Sequence, residues 1–237
     1  MNDKLKRIPM GIPGFDQMVE GGLRENSINL IAGGAGTGKT ILAMQFIING
    51  ITKYNEPGLY ITFEERKHKV YADMSRFGWD LAKHEKQGKL VFLEYTPEQV
   101  KRMLTEGGGV IENVIEKSGI KRIVIDSISS FSLLYEDELT KKGAALTLFS
   151  LIGKWNCTGL MTSQMTFKDD TDSGILSAAL EFEVDGIIVL YHIKRKGIRK
   201  RALEILKMRC TKIPEKTVSM EIADKGIHIN PDSIVVF

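Results

Sequence analysis

Gly33-Gly34-Ala35-Gly36-Thr37-Gly38-Lys39-Thr40 follows the apolar run Ser27 to Ile31 and opens a helical stretch over Thr40 to Tyr54. Strand, glycine-rich loop and helix, in that order, are the context in which the spacing Gly-x-x-x-x-Gly-Lys-Thr carries meaning. Gly33, Gly34, Gly36 and Gly38 present no side chains, so successive N–H groups converge on one anion, and the helix N-terminus adds partial positive charge. Lys39 then reaches the β- and γ-phosphates, and the Thr40 hydroxyl faces Mg²⁺. The stretch reads as a P-loop for ATP or ADP with Mg²⁺.

Outward from this loop, short β-branched runs recur at Leu59 to Phe63, Leu90 to Leu93, Arg122 to Ile125, Thr158 to Thr162 and Gly186 to Tyr191. They are nearly all apolar, as strands covered on both faces would be. Helical stretches over Lys67 to Phe77, Pro97 to Ser118 and Leu139 to Trp155 are long enough for crossover connections. The alternation predicts an α/β, doubly wound, mostly parallel central sheet. Past it, Arg201 to Met208, Thr217 to Ile222 and Gly226 to Ile229 read as a small antiparallel C-terminal extension. No repeat and no Pro- or Ser-rich linker divides the chain, so one domain over 1–237 is expected.

Of the 237 residues 43% are hydrophobic, enough for a substantial core. The 33 basic and 30 acidic residues leave a formal charge of +3, too little to demand a nucleic-acid partner through bulk electrostatics. The N-terminus lacks the apolar stretch of a secretory signal and no run reaches membrane-spanning length, which predicts a soluble cytoplasmic protein without membrane insertion. Cys157 and Cys210 lie in no spacing that suggests zinc or redox chemistry and read as reduced packing residues.

A phosphate-bound Mg²⁺ calls for an acid at the end of a neighbouring strand, and Asp126 closes the run Arg122 to Ile125. The alternative is that Asp126 begins a turn or caps the next helix. Hydrolysis further needs a group that orients or deprotonates water from the same sheet edge, where Glu64 and Glu65 follow the strand Leu59 to Phe63. Their plainer reading is a solvated, charged helix start, Glu64-Glu65-Arg66-Lys67. At the end of Thr158 to Thr162, Gln164 is placed to sense the γ-phosphate.

With those pieces placed, the chain resembles the KaiC-like branch of the RecA superfamily over essentially its whole length. Gly11-Ile12-Pro13-Gly14-Phe15-Asp16 with Glu20-Gly21-Gly22-Leu23, Thr62-Phe63-Glu64-Glu65, Phe77-Gly78-Trp79-Asp80-Leu81 and Ala202 through Arg209 carry the resemblance beside the P-loop. It implies a RecA-like fold and an ATPase assembled as a homo-oligomeric ring, usually hexameric, with ATP between subunits. On one side would stand Thr37 to Ile41, Glu64, Glu65 and Asp126, with Arg76 and Phe77 near the base. The neighbouring subunit would bring Lys207 and Arg209 to the γ-phosphate with Thr211 close by, Met208 to the nucleotide, and Arg201 and Asp224 toward the nucleoside. Cations delivered across an interface would make hydrolysis depend on assembly.

Three positions depart from the family pattern. Arg209-Cys210-Thr211 stands where relatives commonly have Arg-Gly-Thr, Ile213 stands where a histidine is frequent, and Gln164 replaces a frequent glutamate. One ATPase block is present, against two in KaiC itself, so no phosphorylation cycle follows, and nothing local marks Ser129 or Ser130 as a phosphosite.

Two rivals accompany the ATPase reading. A nucleotide-gated binding module would hold ATP with little turnover, working on an unidentified protein partner. A recombinase-like protein would bind single-stranded DNA through loops near Ser132 to Glu138 and Met165 to Ser173, but Glu136, Asp137, Glu138, Asp169, Asp170 and Asp172 face a single Lys168 there. The basic run Lys194-Arg195-Lys196 with Arg199-Lys200-Arg201 has no interleaved aromatics and reads as a solvated hairpin or a ring-interface patch.

Overall fold

The computed structural model describes residues 5–129, 135, 137–164, 183–195 and 197–236. Its centre is a nine-stranded sheet built from β3 (Ile28–Gly33), β4 (Gly58–Thr62), β5 (Leu90–Glu94), β6 (Arg122–Asp126), β7 (Thr158–Gln164), β8 (Gly186–Arg195), β9 (Ile198–Met208), β10 (Val218–Ala223) and β11 (Gly226–Ile234), in the order β11-β10-β9-β8-β3-β7-β6-β4-β5. Every pairing from β8 through β3, β7, β6 and β4 to β5 is parallel, and β9, β10 and β11 continue the sheet antiparallel. The extension is thus part of the same sheet. A short ladder of β1 (Arg7–Ile8) on β2 (Leu23–Arg24) stands apart from it.

Strand alternation divides the core between the two faces of the sheet. Ile31, Tyr60, Val124, Leu160 and Ile188 face one apolar cluster with α1 (Lys39–Tyr54), α2 (Lys67–Ser75) and α3 (Leu81–Lys86). Leu30, Leu59, Ile123, Ile125 and Met161 face the other with α4 (Pro97–Thr105), α5 (Gly109–Ser118) and α6 (Glu138–Lys154). Residues of β3 and β4 are buried throughout, which is why these strands read as unbroken apolar runs.

The single helix expected over Pro97 to Ser118 is two helices. Gly107 and Gly108 take φ of +76° and +77°, and the left-handed backbone that glycine permits ends α4 and starts α5. At the front of α4, Thr96 and Gln99 form a reciprocal capping box. A further helix, α3, was not read from the sequence although Asp80 caps it by accepting from Lys83 N at 2.9 Å.

The family-like entry segment earns its residues by packing. Asp16 accepts from Met10 N and Gly11 N, folding the segment so that Ile12 and Phe15 are buried. Ile229 N of β11 donates to Pro13 O at 3.0 Å. Gly14, at φ +83°, lies so close to β11 that a Cβ would stand 2.0 Å from the Ile229 carbonyl oxygen. This segment fixes β11 against α1, beside the P-loop.

Candidate nucleotide site

The site lies at the C-terminal edge of the parallel strands, where β3 ends and α1 begins. Gly36 and Gly38 have φ of +71° and +106°, and a Cβ on Gly33 would meet the Leu190 carbonyl oxygen at 2.6 Å. Three of the loop glycines therefore answer backbone constraints as well as ligand access. Thr37 is buried and donates from Oγ1 to Gly34 O at 2.9 Å, closing the loop on itself. Gly38 caps α1 without a side-chain hydrogen bond, which leaves the helix N-terminus open toward the loop. Beside it opens a cavity of about 400 Å³ lined by Gly36, Gly38, Lys39, Thr40, Ile41, Arg76, Arg201 and Ile222.

Lys39 folds back over the loop and donates to the carbonyls of Gly33 at 2.8 Å and Gly34 at 2.9 Å. Burial pulls its pKa below the usual lysine value, and Asp126 and Glu64 pull it upward. This half-buried ammonium hydrogen-bonds to no carboxylate among the described residues, an environment suited to an added anion.

Asp126, at the end of β6, gathers hydroxyl donors from three elements. Thr40 Oγ1 of α1 donates to its Oδ2 at 2.9 Å, Tyr60 OH of β4 donates to the same oxygen at 2.5 Å, and Thr162 Oγ1 of β7 donates to Oδ1. The fully buried Tyr60 has its pKa raised well above the usual tyrosine value, by desolvation first and by Asp126 next, so it is a donor at every physiological pH. The pairing of a hydroxyl from the P-loop helix with this carboxylate is a donor set that fits Mg²⁺ bound beside phosphates. A simple helix-capping role for Asp126 does not account for Thr40, Tyr60 and Thr162 converging on it.

Glu64 and Glu65 diverge after β4. Their N–H groups donate to Thr62 Oγ1 at 3.3 and 3.0 Å, forming a tight turn at the strand end. Glu64 accepts from Ser127 Oγ, next to Asp126, and contributes to the electrostatics of Lys39. Glu65 points toward α2, where its carboxylate lies 3.8 Å from the Lys69 ammonium. On β7, Gln164 is exposed at the same sheet edge and its N–H donates to Ser129 Oγ at 2.6 Å.

The remaining expected residues separate into two groups. Arg76, Arg201 and Ile41 line the chain's own cavity, and Arg201 donates to the Gly36 carbonyl at 3.2 and 3.3 Å. The resemblance had assigned Arg201 to the neighbouring subunit. Phe77 is buried in the core beneath Arg76, whose guanidinium stands 5.1 Å from the ring centroid, so Arg76 is the one of the two that borders the cavity. Asp224 is exposed in the β10–β11 turn, two residues past the cavity-lining Ile222.

Lys207, Met208, Arg209 and Thr211 lie at the other end of the sheet. Met208 pairs with Gly186, which pairs with Asn29, four residues before Gly33. At about 3.3 Å per residue this is roughly 13 Å of strand away from the chain's own P-loop. There Arg209 lies 3.9 Å from Asp185, and Thr211 Oγ1 accepts from Arg7 at 2.6 Å. Met208 is buried, and Ile213 packs against the core.

The basic run around residue 197 is a hairpin, with Lys194 opposite Arg199 and His192 opposite Arg201. Lys196, Ser130, residues 132–134 and 136 of the first acidic loop and all of the second lie outside the described residues, while Asp137 caps α6 by accepting from Thr140 N at 2.8 Å and Glu138 begins that helix. Tyr60, Ser127 and Thr162 were not singled out from the sequence; Ser127 directly follows Asp126 and Thr162 closes its apolar run, which was the available signal, whereas Tyr60 sits in the middle of β4 and gave none. Among the described residues no helix is long and apolar enough to cross a membrane.

A family model for the KaiC ATPase matches residues 8–234. A UPF0273 protein of Thermotoga maritima is 36% identical, covering 96% of this chain and 97% of that protein. The circadian clock oscillator protein KaiC of Synechococcus elongatus is 33% identical over 93% of this chain but 43% of its own length. The crystal structure of a KaiC-like protein from Pyrococcus horikoshii superposes with a TM-score of 0.85 at 36% identity, covering 96% of this chain and all of that one.

Proposed function

The chain belongs to the KaiC ATPase family, and from that premise we propose that it binds Mg·ATP as one ATPase domain over 1–237 and hydrolyses it at the interfaces of a homo-oligomeric ring. The observation that supports this most is the convergence of Lys39, Thr40, Asp126 and Glu64 at one edge of the sheet. Ile41 N–H and the loop amides hold the phosphates, and Lys39 exchanges its two carbonyl acceptors for phosphate oxygens. Thr40, with its proton committed to Asp126, keeps its oxygen lone pairs for the ion. When bound, Mg²⁺ neutralises charge on the β- and γ-phosphate oxygens.

Glu64 is the water-activating group, because its carboxylate accepts from Ser127 beside Asp126 and acts on the charge of Lys39, while Glu65 lies against Lys69. It takes a proton from the attacking water, with Gln164 sensing the γ-phosphate from the adjacent strand. Arg76, Arg201 and Asp224 bound the nucleoside end, Arg201 from the same chain as the P-loop. Lys207 and Arg209 reach the γ-phosphate of the next subunit, and turnover gates contact with a protein partner.

Single-turnover hydrolysis tests the assignment. Glu64→Gln should slow the chemical step ~100-fold or more with ATP affinity held within about tenfold, and Glu65→Gln should slow it less than about tenfold. Equal losses would remove the distinction between the two glutamates. Turnover undiminished in both variants would move the base elsewhere, with Gln164 the next residue to test.

A further inference from the structure

We propose that Tyr60 is a positioning residue for the metal side of the site, acting through Asp126; this rests on the reading of Thr40 and Asp126 as the Mg²⁺-side groups. A carboxylate offers about four acceptor positions. Here Thr40 and Tyr60 occupy Oδ2 and Thr162 occupies Oδ1, and the donors come from α1, β4 and β7, the elements that surround the end of β6. The carboxylate is thereby held in one orientation from several directions.

Tyr60 is itself closely packed. Its ring is fully buried and stacks on Phe92 with centroids 5.1 Å apart and planes 11° from parallel, and Tyr71 packs edge-on against the other aromatic at 5.4 Å. The hydroxyl is the only polar atom this side chain brings, and it is spent on Asp126. A phenylalanine would serve the packing equally well, because the ring fills the same space in the apolar cluster. What the hydroxyl adds is directional.

The consequence concerns Thr40. Donation to Asp126 directs its proton and leaves the oxygen lone pairs for a cation, and that direction depends on Oδ2 staying where Tyr60 holds it. Removing the Tyr60 hydroxyl frees the carboxylate to turn, and the pairing that orients Thr40 is lost for part of the time. Groups that orient metal ligands from behind commonly cost 10- to 100-fold in metal affinity when removed. The loop amides do not touch Asp126, Lys39 makes its hydrogen bonds to Gly33 and Gly34, and Tyr60→Phe leaves the Asp126 charge in place, so the phosphate grip should be spared.

The test is binding of a fluorescently labelled ATP to the full chain, titrated with MgCl₂ and repeated in EDTA. Tyr60→Phe should raise the Mg²⁺ concentration at half-saturation about tenfold, while affinity for labelled ATP in EDTA stays within twofold of wild type. Thr162→Val should shift the Mg²⁺ midpoint in the same direction and Thr162→Ser should restore it, so the pair decides the matter if Tyr60→Phe does not fold. Asp126→Asn separates the layers: a large shift there with Tyr60→Phe within twofold of wild type overturns the role of Tyr60 alone. An unchanged midpoint in Asp126→Asn overturns the metal assignment and the inference with it. Equal midpoints for Thr162→Val and Thr162→Ser would also count against the orientation of Asp126 by its hydroxyl donors.

Discussion

At the scale of single residues, Lys39 carries a conflict between stability and binding. Its pKa is depressed chiefly by burial, so the unfolded chain holds this proton more tightly than the folded one. The resulting penalty is present below the folded pKa and is relieved as pH rises toward the usual lysine value of 10.5. Lys39→Met should therefore melt no lower than wild type without nucleotide at pH 7, and any advantage should shrink as pH rises toward 10.5. Adding Mg·ATP should raise the wild-type melting temperature and leave the variant unmoved. A thermal melt with and without nucleotide reads both; a nucleotide-induced shift retained in Lys39→Met would contradict the assignment of the P-loop lysine. Cys210 shows a different residue-level strain. It holds φ +55°, a left-handed conformation that glycine adopts without the cost a Cβ brings. Cys210→Gly should match wild-type stability or exceed it by up to ~1 kcal/mol, whereas Cys210→Val should lose ~1 kcal/mol or more, read by urea unfolding.

At the scale of elements, the least expected packing joins α1 to β6 through Arg122. Its side chain is wholly buried, lies 2.7 Å from Glu56, donates to Phe46 O at 3.0 Å, and stacks its guanidinium 4.6 Å from the Phe46 ring centroid. Gly50 makes room for it, since a Cβ there would stand 2.4 Å from Arg122 Cδ. Gly50→Ala should destabilise by roughly 1–3 kcal/mol through overpacking, despite alanine's better helix propensity. Arg122→Ala should cost about 3 kcal/mol, at the lower end of the range for breaking a buried pair because Glu56 is partly exposed. Equilibrium unfolding measures both, and a stabilised Gly50→Ala would mean that Arg122 can move aside. Such packing was beyond sequence reading. Arg122 begins a run that reads as a buried strand, and burial of an arginine depends on a helix glycine 72 positions earlier. The P-loop, by contrast, was legible because all its parts lie within one strand–loop–helix unit. Asp126 and Glu64 were legible because strand ends supply them. Tyr60 was hidden inside an apolar run, where tyrosine counts toward the core, and the Gly107–Gly108 break was masked by the helical pattern on either side.

At the scale of the molecule, the antiparallel return of β9 decides how the site can be completed. Because β9 runs against β8, Arg201 ends up beside the P-loop while Lys207 and Arg209 are carried to the opposite end of the sheet. A chain of this shape cannot bring Lys207 or Arg209 to its own phosphates without breaking the β8–β9 pairing. If these cations act in hydrolysis, they act on another subunit. This arrangement could not be read from spacing, because Lys207 and Arg201 are six residues apart in one strand and either could have faced the loop. The central claim, hydrolysis shared between subunits, is tested most directly by mixing two inactive proteins. Glu64→Gln, Glu65→Gln lacks the base on one face, and Lys207→Ala, Arg209→Ala lacks the cations on the other. Mixed assemblies would contain some interfaces with both faces intact, so ATPase activity should rise well above the sum of the unmixed controls at equal total protein. Activity no greater than that sum, with subunit exchange verified, would contradict a shared site and leave Lys207 and Arg209 outside catalysis.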